Sequence, residues 1–315
     1  MDAADLLDPA YSIFLTEPSS EWTLDSLPGI RNRVHSSYKS SLTARCEQRW
    51  THADAEHSAV RLCLYRPDPT TVESRTLPAI LYLHGGGFVL GRPEMADDYL
   101  ADLANDLQAV VVAPDYRLAP EHPFPALLED CHTALNWLLS EKSALRVDSD
   151  RVVIMGHSAG GGLAAALALL VRDTSQYPIA GLVMVYPMLD HRTGSETAPT
   201  ENPTTGLLSW GRDANQFCWR CLQASSDIND DRADLFSPAL ASDLQGLPPS
   251  FIGVGALDLF LEEDVAFALK LSRSGVAMEL HVYPGVPHMF DQYPGAVTEQ
   301  CERDVNKALR QMLAP

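Results

Sequence analysis

Short runs of apolar and β-branched residues recur along the chain at 60–65, 79–83, 109–113, 152–155, 182–186, 251–254 and 279–283. Several are apolar at every position rather than at alternate ones, the pattern of strands covered on both faces. Between them, residues 95–107, 125–139, 163–172, 261–274 and 296–313 carry apolar positions at helical spacing. Alternation of this kind predicts right-handed crossovers and an α/β architecture, with a mainly parallel sheet between helical layers. Two stretches break the rhythm. The first 50 residues are polar, hold Pro18 and Pro28, and place Leu6-Leu7 and Ile13-Phe14-Leu15 at helical spacing, which predicts one or two short helices and no sheet strand. From about Asp190 to Leu244 no strand pattern appears, while 204–224 reads as an aromatic helix with Trp210, Phe217 and Trp219. An insertion of that size is a candidate lid, because ligands bind beyond the carboxyl ends of such strands.

Composition narrows the function classes. A chain of 315 residues with ordinary apolar and charged content fits one large α/β domain. Its formal charge of −19 repels phosphate backbones and anionic lipid, so neither nucleic acid nor a membrane surface is an expected partner. The first basic residue is Arg31, so no secretory or mitochondrial signal is visible, and the expectation is a cytoplasmic protein. The longest apolar run, residues 159–171, is too short for the roughly 20 residues that span a bilayer. Six cysteines in a chain of this length make no disulfide framework, and the Cys218/Cys221 pair has no second pair for zinc. Asp227, Asp230, Asp231 and Asp234 lack the glycine and terminal glutamate of a calcium loop and read as a solvated face.

Two glycine-rich segments carry candidate chemistry. Gly156-His157-Ser158-Ala159-Gly160 lies where a β-branched strand gives way to an alanine-rich helix, a setting that holds a serine on a strained corner above the sheet. His84-Gly85-Gly86-Gly87-Phe88 follows another strand directly, and consecutive glycines let backbone N–H groups face an empty space, as a developing oxyanion requires. A hydroxyl nucleophile needs a base and an orienting carboxylate. After Ser158 the histidines are His191 at the start of the insertion, His281 inside a strand pattern, and His288 in a loop just past a strand end. The loop position lets His288 reach back to the serine. Asp258 lies just past the strand 251–254, on the same sheet edge, with Asp264 and Asp190 as fallback carboxylates. The chain order Ser, Asp, His is that of the α/β-hydrolases.

From residue 78 onward the chain resembles the hormone-sensitive-lipase-like branch of the α/β-hydrolases, the microbial family IV carboxylesterases. HGGGF (84–88), DYRLAPEHPFPA (115–126), GHSAGGGLA (156–164), YPMLD (186–190), GALDLF (255–260) and YPGVPHMF (283–290) carry the likeness. The resemblance implies an eight-stranded α/β-hydrolase sheet over residues 51–315, capped by the N-terminal segment 1–50 and an insertion near 190–244. It implies Ser158 as nucleophile, His288 as base and Asp258 as its partner. Backbone N–H groups of Gly86, Gly87 and Ala159 form the implied oxyanion hole, with Gly85 included because a glycine run leaves the register open. Phe88, Trp210, Phe217 and Met289 are candidates for the substrate pocket. The implied activity is hydrolysis of small short-acyl esters with water, without metal or organic cofactor, and the resemblance allows a homodimer. The same machinery serves amide, carbamate and lactone hydrolysis or removal of an acetyl group, and a related scaffold serves as a ligand-binding receptor when the histidine is lost. Three positions depart from the family: His157 stands where Asp is usual, Met289 where Gly is common, and Leu259-Phe260 where Pro-Leu is frequent. His157 is expected to be structural, because adjacent side chains on a tight turn point apart. Asp115, Arg117 and Glu121 are expected to brace the loop beside the glycines.

Overall fold

The computed structural model describes residues 3–16, 20–37, 46–53, 58–68, 76–174, 177–225, 228 and 232–315. Strands β1 (Glu47–Trp50), β2 (Arg61–Tyr65), β3 (Leu77–Leu83), β4 (Val110–Asp115), β5 (Val147–His157), β6 (Gly181–Val185), β7 (Ser250–Gly255) and β8 (Met278–Tyr283) form one sheet in the order β1-β2-β4-β3-β5-β6-β7-β8. β2 runs antiparallel to both β1 and β4, and every pairing from β4 to β8 is parallel. The described helices are α1 (Ala3–Leu6), α2 (Leu27–Ser37), α3 (Asp97–Leu107), α4 (Ala126–Ser140), α5 (Lys142–Leu145), α6 (Ala159–Thr174), α7 (Arg212–Gln223), α8 (Ala233–Phe236), α9 (Leu261–Arg273) and α10 (Ala296–Met312).

Strand alternation divides the apolar core between the two faces of the sheet. Leu81, Leu83, Val112 and Ile154 pack with α4, α6 and α9, whereas Ile80, Tyr82, Val111 and Val153 pack with α3, α10 and the 3-10 turn Pro9–Leu15. Burial on both faces is why these strands read as unbroken apolar runs. α6 is buried along almost its whole length, so it too lacks a polar stripe.

Of the parts that broke the rhythm, α2 and the insertion pack into the same apolar cluster as α4 and α6, whereas the turn Pro9–Leu15 packs on the other face. α2 is fastened by Arg31, whose guanidinium donates to Val89 O at 2.8 Å, to Ala119 O at 2.9 Å and to both Glu121 oxygens. The Trp22 ring stands 5.3 Å from Trp210 and 5.9 Å from Phe217, tying the N-terminal segment to the insertion.

Two expectations require correction. β1 is an edge strand within the N-terminal stretch expected to be helical only. Glu47, Gln48, Arg49 and Trp50 show no apolar alternation because an edge strand is held by backbone pairing, here to β2, and Trp50 is 58% exposed. Only Arg212–Gln223 of the segment 204–224 is helical. Gly206 and Ser209 adopt φ of +67° and +60°, left-handed conformations that interrupt a helix. Of the acidic cluster, Asp227, Asp230 and Asp231 lie outside the described residues, as does Pro18.

Candidate active site

β5 ends at His157 and α6 begins at Ala159, leaving Ser158 alone on the corner with φ +56°. The turn is tight enough that a Cβ on Gly156 would lie 2.1 Å from Gly160 O, and one on Gly160 2.1 Å from Leu83 O, so both positions require glycine. Ser158 Oγ lies 2.9 Å from His288 Nε2, and His288 Nδ1 lies 2.7 Å from Asp258 Oδ2. The other carboxylate oxygen of Asp258 accepts from Phe260 N–H at 2.9 Å. Because a carboxylate only accepts, Nδ1 carries the ring proton and Nε2 is left to accept from the serine hydroxyl. The three side chains are buried: Ser158 is 6%, His288 1% and Asp258 0% exposed.

The structure joins these three across the ends of β5, β7 and β8. It does not bring the rival residues to Ser158. His191 bonds Ser237 and His281 bonds Glu279, while Asp190 is clamped by Arg192 at 2.7 and 2.9 Å. Asp264 is fully buried with neither carboxylate oxygen hydrogen-bonded, and burial beside Glu263 and Asp258 pushes its pKa up.

The glycine loop borders the serine: a Cβ on Gly85 would lie 3.4 Å from Ser158 Cβ. Gly86 and Gly87 adopt φ of +123° and +58°, and Gly86 O accepts from Val89 and Leu90 N–H. His84 anchors the loop from beneath. Its ring stacks on Tyr116 at 4.0 Å, its Nδ1 lies 2.8 Å from Gly85 O, and the Tyr116 hydroxyl donates to His84 O at 2.6 Å. Burial drives the His84 imidazole down to about 4, so it is neutral in ordinary buffers. Each charged residue of the neighbouring loop is paired as expected of braces: Asp115 with Arg61, Arg117 with Asp130, and Glu121 with Arg31.

A narrow apolar cleft, with about 10 Å³ of cavity volume, lies beside the first turn of α6, with Phe88, Phe124, Gly162, Met188, Trp219 and Phe236 in its wall. Trp210 stands 6.0 Å from His288 and would meet a Cβ on Gly87, which sets it over the site. Phe217 packs on Trp22 and is absent from the cleft wall, and Met289 follows His288 with φ +61°. Tyr186 and Asp291 were not singled out by the sequence. The Tyr186 ring lies 4.6 Å from His288 and its hydroxyl 2.6 Å from Asp291 Oδ1. Their trace is slight: Tyr186 heads the YPMLD motif one residue past a strand end, and Asp291 lies three residues past His288.

The sequence profile of a family described as alpha/beta hydrolase fold matches residues 80–292, more than half of the chain. The chain belongs to the α/β-hydrolases. Within them this hydrolase falls in the hormone-sensitive-lipase-like branch of esterases, as its motifs implied, and is an enzyme of the serine-hydrolase type. It is 35% identical to carboxylesterase NlhH of Mycobacterium tuberculosis over 72% of this chain and 70% of that protein. It is 33% identical to an ethyl acetate hydrolase of Pseudomonas putida over 79% of this chain and 78% of that protein. A solved bacterial heroin esterase superposes with a TM-score of 0.90 at 30% identity, covering 99% of both chains. No helix of the hydrolase among the described residues is long and apolar enough to cross a membrane.

Proposed function

We propose that the protein hydrolyses small, short-acyl carboxylic esters through an acyl-enzyme on Ser158. The observation that carries this reading is the continuous relay from Ser158 Oγ to His288 at 2.9 Å and from His288 to Asp258 at 2.7 Å, set on a strained turn beside a glycine loop. His288 Nε2 takes the hydroxyl proton as Ser158 Oγ attacks the ester carbonyl. Asp258 holds the tautomer and stabilises the imidazolium. The N–H groups of Gly86, Gly87 and Ala159, with Gly85 beside them, donate to the oxyanion, where one such donor is worth about a hundredfold or more in rate. His288 then protonates the departing alcohol, and water repeats the sequence to release the acid.

The short-acyl preference is supported by the narrowness of the apolar cleft and by the low exposure of Ser158. It agrees with the name of the ethyl acetate hydrolase relative. Helix α2 and the insertion near 190–244 act as the cap, with Trp210 placed 6.0 Å from His288.

Initial rates on p-nitrophenyl esters from acetate to palmitate test the reading, with Ser158→Ala as control. Turnover is expected to peak between acetate and hexanoate and to vanish in the variant. A maximum at palmitate would overturn the short-acyl assignment, and an active Ser158→Ala protein would remove Ser158 as nucleophile.

A further inference from the structure

The family residue that this chain lacks, an aspartate before the nucleophile, is matched by a carboxylate arriving from elsewhere. Asp291 lies three residues after His288, in the 3-10 turn Phe290–Gln292. One of its oxygens accepts from the Tyr186 hydroxyl at 2.6 Å, and the other faces His157 Nε2 at 3.5 Å. His157 adjoins Ser158 and is ringed by Tyr82, Tyr99 and Tyr186 at 5.5–5.8 Å between ring centres. The loop that carries the base and the residue that precedes the nucleophile therefore meet at one carboxylate.

Tyr186 links that carboxylate to the imidazole. It follows β6 directly and holds φ +39°, a conformation a bulky side chain adopts only when its surroundings impose it. Its N–H donates to Gly253 O on β7 at 2.6 Å, and its ring meets the His288 ring edge-to-face at 4.6 Å and 66°. His288 itself stands in a loop, between Pro287 and a left-handed Met289. Asp258 fixes one nitrogen of the imidazole and Phe260 packs edge-to-face on it at 5.0 Å, which still leaves the ring some freedom to rock about the Asp258 hydrogen bond. A ring pressed against its side, itself held at the hydroxyl, removes that freedom and keeps Nε2 aimed at Ser158 Oγ.

We propose that Asp291 is a positioning residue for the Ser158–His288 couple and acts through the Tyr186 hydroxyl. The inference rests on the esterase reading above and deepens it. Asp291 and Tyr186 touch neither substrate nor the reacting oxygen; their effect is on the alignment of the base.

The test is a double-mutant cycle of Tyr186→Phe, Asp291→Ala and the double variant, read on short-chain p-nitrophenyl esters and on the rate at which a p-nitrophenyl alkylphosphonate labels Ser158. Each single variant is expected to lower kcat and the labelling rate about tenfold while KM stays within about twofold, and the double variant to fall no further than the lower single. Tyr186→Phe keeps the ring and deletes one oxygen, so it decides the matter if Asp291→Ala fails to fold. Wild-type rates in Tyr186→Phe, multiplying losses in the double variant, or a raised KM at unchanged kcat would overturn the proposal while leaving Ser158 as nucleophile. A wild-type protein that is not labelled at Ser158 removes the esterase reading, and this inference with it.

Discussion

At the scale of single residues the choice among carboxylates decides the chemistry. Asp258, Asp264 and Asp190 are all buried, yet only Asp258 meets the imidazole of His288. Asp258→Asn keeps an oxygen for Phe260 N–H but can present an amide N–H to His288, which favours the wrong tautomer. Turnover is expected to fall by up to ~10⁴-fold with little change in Tm. Steady-state kinetics and thermal unfolding of the variant check this, and a near-normal rate would transfer the orienting role to another carboxylate. The strand-end positions of Ser158, Asp258 and His288 made their meeting legible in the sequence, because parallel strands deliver their carboxyl ends to one edge. The contact of Tyr186 with His288 and Asp291 was not legible, since nothing in a strand pattern says which way the next ring turns.

Among the elements, α9 contains an unresolved conflict. Its first turn bears Glu262, Glu263 and Asp264, which suits the positive end of a helix. Asp264, however, is fully buried with no partner, and burial outweighs the helix dipole, so its pKa rises. A carboxyl whose folded pKa is raised contributes its full stability below the ordinary carboxylate range near pH 4 and loses it as pH climbs through the folded value. Asp264→Leu, of the same branched shape though larger, removes that loss and the unsatisfied polar group. It is expected to stabilise the protein by roughly 1–3 kcal/mol at pH 8, with a smaller gain at pH 5, read as the difference in Tm from wild type at each pH. A constant difference would mean that Asp264 does not titrate in that range. Local pattern also fails at β1 and at residues 204–211, where backbone pairing and left-handed residues decide the outcome and neither leaves an apolar period to read.

For the molecule as a whole, charge sets a preference that the site by itself does not. The chain carries a formal charge of −19, and the cleft beside α6 has an apolar wall. An anionic ester such as p-nitrophenyl hemisuccinate is therefore expected to show a kcat/KM several-fold below that of the neutral butyrate at low salt, and the gap is expected to narrow in about 0.5 M NaCl as the field is screened. A ratio independent of salt would assign the discrimination to contacts inside the pocket.

The sequence by itself determined the α/β alternation, the Ser158 turn and the glycine loop, because apolar period and glycine spacing are properties of neighbouring residues. It also bounded the candidates for base and carboxylate to a few positions past strand ends. Only the tertiary structure decided which of them touch. Tyr186 and Asp291 are 105 residues apart in the chain, and Ser158 and His288 are 130 apart. Their meeting depends on the sheet order β5-β6-β7-β8 and on how each loop leaves its strand. The placement of the N-terminal segment is decided at the same level: Arg31 of α2 reaches Val89 and Ala119, and Trp22 reaches Trp210, contacts set by packing that no local pattern encodes.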